Sequence, residues 1–526
     1  MPELKVFDLV EACVQGDYQI PEFQREFVWR PSQVAAFADS LSQGFPVGAL
    51  TVWPQTVKQK QVVVYVVDGQ QRLTALCILF GKRPCWRDQR EWDKIVDTTK
   101  PSLNVSPEGE WSFGGKKAGG ISLQVSEILA KESLDDVVEL VRDTLDNTKI
   151  TSEAARSTLY EKAKRVWGLR ENRLPVVEVT SQDPMEVAQM YQRLNLAGTK
   201  IREPDILLAY IAVKNEGWVK GVFRAFIEDF RRRTNNRWVF KAEDLLRCMT
   251  ILDSATPRVR ELRDERGFWE SGCKDAFEKV KDAARDVVSR LERYGVYAID
   301  DIPSNYALIA LLSFHARFSA DKDYDFAAVF RWFLAANVVG RYTGAPLQHL
   351  SEDAQKFMST PGFREALNAI RGEIPDGDLR RALDEELGES FKRGSPAALL
   401  LKVLLWEKGL DWRRGGKLSQ YPPLEWHHIF PPKILKNMYA EEVAGVTANR
   451  TLLSEDANKE FKDKPPWLYG PSHVADPTRF ESHFVPTSYA KAFVQGKAIN
   501  TKEELAKCLT QRLNLIEREA RHLLGV

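Results

Sequence analysis

Residues 62–80 read VVVYVVDGQQRLTALCILF. The first six are β-branched or aromatic, which suits a strand buried on both faces. The last eight place Leu73, Leu76, Cys77 and Phe80 on one helical face. Asp68 and Gly69 therefore form a strand-to-helix turn, and Gln70, Gln71 and Arg72 open the helix. Free backbone N–H groups and the helix dipole make such a turn a natural anion site. Arg72 could add a bidentate phosphate contact. The plainer alternative makes Asp68 a helix cap and Arg72 a surface charge. Both readings place an α/β unit at this end of the chain.

Around this stretch, strand and helix signals alternate. Pro31 and Ser32 open a helix with Val34, Phe37 and Leu41 on one face, closed by Gly44. VGALTVW (47–53) reads as a strand, and residues 99–120 as a loop-rich interruption with weak strand signals. From about 124 to 172 the pattern is helical. LPVVEVT (174–180) is a further strand and PMEVAQMYQRLN (184–195) a helix. Upstream, IPEFQREFVW (20–29) alternates so that Pro21, Phe23, Arg25, Phe27 and Trp29 share a side if extended. Its aromatics, interleaved with Gln24 and Arg25, could stack a base or simply form a half-buried strand. Asn195 and Gly198 fall at a helix end, and Asp205 at the next helix start.

The chain has 526 residues, which suggests several domains. At 44% hydrophobic and 28% charged, with net charge +1, it does not announce a nucleic-acid binder, so any basic surface must be local. The six cysteines lack metal-type spacing and read as reduced thiols. No secretory leader and no uncharged run near the ~20 residues of a membrane span are present, so the expectation is a cytoplasmic protein. Residues 205–400 read as mostly amphipathic helix, which could form a dimer face or an internal core. FRRRTNNR (230–237) is either a solvated helix end or a phosphate-contacting patch.

Near the C-terminus, EWHHIFPPKIL (425–435) places two of the seven histidines side by side. Leu424 to Phe430 suits a strand, NRTLLS (449–454) a second one, and SEDANKEFKDK (454–464) a helix capped by Ser454. This is a small ββα unit carrying His427, His428, Asn449 and Asn458. The set suits metal-assisted phosphodiester hydrolysis. A neutral histidine can deprotonate water, and a divalent cation held by imidazole and asparagine can neutralise phosphate charge. Adjacent strand residues face opposite ways, so both histidines can serve one site only at a strand end or kink. His473 and His483 read as ordinary surface residues.

These motifs resemble two domains of GmrSD-type, modification-dependent restriction endonucleases. The His-His-Ile-Phe-Pro, Asn-x-Thr-Leu-Leu and Asn-to-Lys series resembles the HNH (His-Me finger) nuclease domain. Ala448 and Arg450 replace the usual glycine and leucine. That resemblance implies His428 as general base, Asn449 as a residue that orients the base or the loop, His427 and Asn458 as metal ligands, and Lys464 as a phosphate contact. The series Pro-x-Phe-Gln-Arg, Pro-Val-Gly, Asp-Gly-Gln-Gln-Arg-Leu and Leu-Asn-x-x-Gly resembles the ParB-like N-terminal domain. It implies nucleotide contacts at Asp68, Gly69, Gln70, Gln71, Arg72, Gln24 and Arg25, with Pro21 and Phe23 lining a modification-sensing pocket. Asn195 and Asp205 are weaker candidates.

The expected fold class is α+β and multidomain. A ParB-like α/β domain (1–210) leads into a mostly helical middle (211–400) and a ββα-metal nuclease domain (401–526). The expected activity is NTP-regulated, metal-dependent cleavage of modified phage DNA. It would use Mg²⁺ or Mn²⁺ and a nucleoside triphosphate, GTP, ATP, UTP or CTP. No GxxxxGK[ST] loop occurs, so any NTPase is not of the P-loop type. The alternatives are a nucleotide-switched DNA-binding module with an inactive nuclease fold, and an RNase using the same site.

Overall fold

In the computed structural model the described residues are 3–526, apart from 21–26, 57–61, 118, 149–151, 182–189, 191–206, 209–210, 213–214, 216, 259–267, 269–271, 438–439 and 475. They divide into two compact units, Met1–Lys220 and Gly221–Val526.

The first unit is built on a mixed five-stranded sheet of order β1-β8-β3-β4-β2. Its strands are β1 (Glu3–Lys5), β2 (Tyr18–Gln19), β3 (Leu50–Thr56), β4 (Val62–Asp68) and β8 (Arg173–Glu178). β3 runs antiparallel to β4 and parallel to β8, while β2 runs parallel to β4. Helices α1 (Val6–Gln15), α2 (Pro31–Ser42) and α3 (Gln70–Phe80) supply much of the core. The alternation along β4 sends Val66 into this core and Val67 into a second cluster with Trp53 and Val179. Both faces are thus covered at the end leading to the turn. The other end is open, with Val62 53% exposed.

Three expectations change. β3 begins at Leu50 rather than Val47, because Gly48 adopts a left-handed turn (φ +83°) that delays pairing. Residues 99–120 are loop-rich, but their weak strand signals prove to be real strands. With the residues just beyond, they form an antiparallel sheet of β5 (Ser102–Val105), β6 (Trp111–Gly114) and β7 (Ile121–Gln124), ordered β6-β5-β7. Four-residue strands separated by Gly-rich connections leave little periodicity to read. α3 is not amphipathic either: every residue from Leu73 to Phe80 is buried, so it is a central helix. The segment 184–195 lies almost wholly outside the described residues.

The second unit is mostly helical. Asn305–Phe318, Phe326–Val338 and Pro396–Lys408 bury most of their residues rather than one stripe. The C-terminal part holds a hairpin of β9 (Leu424–His428) and β10 (Arg450–Ser454), followed by α4 (Glu455–Phe461). Ser454 caps α4 as its sequence promised, its hydroxyl accepting from Ala457 N–H. The hydrophobic cluster beneath includes Trp412, Ile429, Phe430, Leu453, Phe461 and Leu509. Leu509 belongs to the last helix, α5 (Lys502–Leu524). From α5, Arg512 reaches inward at 1% exposure and donates to Ala448 O (2.6 Å) and His483 O (2.9 Å). The C-terminal helix therefore fastens the loop that leads into β10. Among the described residues no helix is long and apolar enough to cross a membrane, and all six cysteines are unpaired.

Candidate active site

The β9–β10 register decides what each histidine can do. His427 pairs with Thr451 and His428 with Arg450, so the strand stays regular through both histidines. They face opposite sides. On the inner side, Glu425 and His427 share a face with Thr451, and α4 lays Asn458 across it. Asn458 Nδ2 donates to Glu425 Oε2 (2.5 Å), and its Oδ1 lies 2.8 Å from His427 Nδ1. A carboxylate can only accept, so this fixes the amide: Oδ1 faces the imidazole, and His427 Nδ1–H donates to it. His427 is 2% exposed, packed against the edge of Trp412, and its Nε2 has no hydrogen-bond partner. Burial, more than any neighbour, pulls its pKa down to about 4.

These side chains fit a divalent cation. Two donors of an octahedral ion bound at 2.0–2.1 Å sit about 3 Å apart when adjacent. The 2.8 Å between His427 Nδ1 and Asn458 Oδ1 matches that edge once the Nδ1 proton that bridges them has moved to Nε2, and the Glu425 carboxylate lies at the same amide. One imidazole with two oxygens suits a harder ion such as Mg²⁺ or Mn²⁺. Among the described residues no group of three or more His, Cys, Asp or Glu side chains is placed to hold a metal ion. The candidate centre depends on the carboxamide of Asn458.

On the other face, His428 Nδ1 lies 3.4 Å from Arg450 Nη1. His428 is half-buried, and burial followed by the Arg450 charge holds its pKa near 4, so the ring is neutral at pH 7. The structure thus brings His427 and Asn458 together and turns His428 towards Arg450. Asn449 is fully buried and bonds to Phe430 twice, accepting from its N–H (2.8 Å) and donating to its carbonyl (3.0 Å). It pins the chain just past β9 and does not reach either histidine ring by a hydrogen bond. Lys464 lies exposed beyond the end of α4.

Sequence reading missed Glu425, although its position two residues before His427 placed it on the same strand face. It also missed Asp411. That carboxylate is fully buried and accepts from Arg413, Arg414 and Ser454 N–H, tying the polar 410–416 loop to the end of β10. His483 is not at the surface: it is fully buried, donates from Nε2 to Leu410 O (2.8 Å), and accepts at Nδ1 from Thr451 Oγ1 (2.6 Å). His473 is half-exposed beside Glu460. The arginines of residues 231–233 are paired with Glu228 and Asp229 on their own helix, which leaves little free charge for phosphate.

In the first unit, the Asp68–Arg72 segment joins separate motifs. Asp68 ends β4 and Gly69, at φ +99°, starts α3. Asp68 does not cap the helix. Its carboxylate receives Arg72 Nη2 at 2.8 Å, while Arg72 Nη1 donates to Val47 O at 3.0 Å. Gln71 Oε1 accepts from Val28 N–H at 2.9 Å. A Cβ on Gly48 would lie 2.4 Å from Arg72 Nη1, and one on Gly69 the same distance from Leu50 Cδ2. The two glycines give the guanidinium its slot. Gln70 is buried. Pro21, Phe23, Gln24, Arg25, Asn195 and Asp205 lie outside the described residues.

Residues 6–212 match the N-terminal domain model of GmrSD restriction endonucleases. The match spans four of the five strands of the main sheet, all but β1, and the motif junction, and it supports a GmrSD-type N-terminal region with a restriction-type endonuclease role. An uncharacterized protein of Methanocaldococcus jannaschii is 21% identical over 95% of this chain and 90% of its own length. The similarity therefore runs beyond the GmrSD-like region into the second unit.

Proposed function

We propose that the chain is a nucleotide-regulated, metal-dependent DNA endonuclease of HNH type that cuts modified DNA in a restriction role. The observation that carries this reading is the convergence of His427 Nδ1 and Asn458 Oδ1 on a ββα element, in a chain whose other unit is GmrSD-like.

His427 and Asn458, with Glu425, would hold the cation. When bound, it would supply neutralisation of charge on the scissile phosphate and the leaving oxygen. His428, neutral at pH 7, lies on the opposite strand face from the His427–Asn458 pair but is the last residue of β9, so it would accept the proton of the attacking water from a scissile phosphate that wraps the open end of the hairpin. Asn449 fixes the chain that carries it by bonding both polar groups of Phe430. Lys464 contacts a flanking phosphate. In the first unit, the α3 N-terminus and the Asp68–Arg72 segment form the nucleotide site. Arg72 there holds the loop containing Val47 as well as facing the ligand. A nuclease that acted on all DNA would damage its own cell, so nucleotide and modification binding gate the second unit by shifting its population of active forms. The partner is DNA, and the place of action is the cytoplasm.

A second reading, a nucleotide-switched DNA-binding module with an inactive nuclease fold, draws on one observation: His428 faces Arg450 and not the His427–Asn458 pair. Cleavage of plain, phosphorothioated and glucosylated DNA, and of matched RNA, with Mg²⁺ and each nucleotide, separates these readings. DNA binding and nucleotide turnover with no strand scission would favour the second.

A further inference from the structure

Among the described residues, Arg450 is one of three arginines of its unit, with Arg224 and Arg512, that bury a guanidinium nitrogen without a hydrogen-bond partner. It opens β10 directly opposite His428, the last residue of β9. Its Nε is buried with no hydrogen-bond partner, and among the described residues no carboxylate lies within ion-pair distance of its guanidinium. Neighbouring arginines are compensated: Arg413 pairs with Glu460, and Arg414 with Asp456. The Arg450 guanidinium instead rests on the face of Phe391, 5.2 Å from the ring centre, and Phe391 is held edge-on against Trp426 (4.7 Å). Trp426 and His428 alternate onto this same face of the hairpin. A second guanidinium, exposed Arg393, is close enough to repel Arg450 electrostatically and likewise has no ion-pair partner among the described residues.

A half-buried cation without a counter-ion is costly unless a ligand supplies the charge. A planar guanidinium, oriented by an aromatic ring and supported by a second arginine, matches the bidentate geometry of a phosphate diester. We propose that Arg450, assisted by Arg393, seats a DNA backbone phosphate beside His428 at the open end of the hairpin. This assignment adds to the nuclease reading above and rests on it for the meaning of His428. The position of the phosphate makes Arg450 a substrate-binding residue of that site.

The test uses the full chain, a plain 20-base-pair duplex, and binding measured in Ca²⁺ across a salt series, followed by cleavage in Mg²⁺. Arg450→Leu should weaken binding roughly ten-fold and flatten the slope of log K against log salt by about 1, the mark of one lost phosphate contact. Cleavage should fall about 100-fold, with Arg450→Lys between the two. Arg393→Ala, at an exposed position that should not disturb folding, should lower the same slope by a smaller amount. An unchanged slope for Arg393→Ala together with unchanged affinity and rate for the charge-keeping Arg450→Lys, or an unchanged slope and rate for folded Arg450→Leu, overturns the proposal. If wild type cuts and Arg450→Leu cuts equally well, the nuclease reading stands and this one falls. If wild type cuts nothing while the salt slope still drops in the variant, the phosphate seat stands and the nuclease reading falls.

Discussion

The two sequence motifs that stand out behave in opposite ways. At the Asp68–Arg72 turn the charged and amide groups are turned onto the protein itself. Arg72 bonds Asp68 and Val47, Gln71 bonds Val28, and two glycines make room. At the β9–β10 hairpin, polar atoms stay uncommitted: His427 Nε2 and Arg450 Nε lie buried without partners. Leaving such atoms unpaired costs stability, so their presence calls for a chemical reason. The first motif holds separate loops in register around the helix N-terminus proposed to meet nucleotide, and the second presents reactive groups. A motif can thus be read from its residue types, but whether it is scaffold or chemistry depends on where its hydrogen bonds go.

Substitutions can break this contrast. The largest effect belongs to the hairpin. His428→Ala should lower cleavage by about 10²–10⁴-fold with little change in melting temperature, read by single-turnover kinetics beside a thermal scan. At the turn the expectation reverses, with stability affected first. Gly69→Ala should destabilise the first unit by roughly 2–3 kcal/mol, because its φ of +99° and the 2.4 Å approach to Leu50 both resist a Cβ. Denaturant unfolding followed by limited proteolysis would show whether the loss stays within residues 1–220. A strong loss of cleavage by Gly69→Ala at unchanged stability would contradict the scaffold role.

The C-terminal helix offers a third probe. Arg512→Leu leaves Ala448 O and His483 O without their donor, and should cost roughly 2–4 kcal/mol in the second unit. Removing a buried cation whose pKa burial lowers to about 9 offsets part of that cost. Chemical denaturation at pH 7 measures the balance.

Acid sharpens the comparison further, because all seven histidines lie beyond residue 220. Burial holds His315 and His427 near 4, and His483 near 3. Each remains neutral in the fold while its unfolded counterpart, with an ordinary value near 6.5, takes up a proton. Their stabilisation is therefore complete above about pH 6.5 and is lost as pH falls towards 4. By pH 5 the loss should be on the order of 1–2 kcal/mol per buried histidine, confined to the second unit. A hydrogen-exchange series from pH 7 to 5 should show that unit loosening first. The smallest effect is expected at Lys464. Its exposed side chain should leave stability unchanged when replaced by alanine, and flatten the salt dependence of DNA binding by at most about 1.

Much of this was legible in the chain. The strand–turn–helix of residues 62–80 and the ββα order of residues 424–461 follow directly from apolar run length, turn residues and the Ser454 cap. The strands from Ser102 onward gave only weak signals because they are short and bounded by glycine. The inside-out character of α3 was hidden because a helix covered on all sides has no stripe to read. At the site, residue types pointed to His427, His428 and Asn458, whereas register decided which of them meet. Glu425 lay two positions from a named histidine and was accessible to the same alternation argument. Asp411 and Arg512 were not accessible: each acts on backbone groups brought near by tertiary packing, with no local signal.

The most direct test of the account is cleavage by the full chain of plain, phosphorothioated and glucosylated duplex DNA in Mg²⁺. It should be run with and without nucleotide, comparing wild type with Asn458→Ala and His428→Ala. The account predicts scission of a modified duplex by wild type, loss of scission in both variants, and rescue of neither by added nucleotide. Equal cutting by the variants, or DNA binding and nucleotide turnover by wild type without any scission, would contradict it.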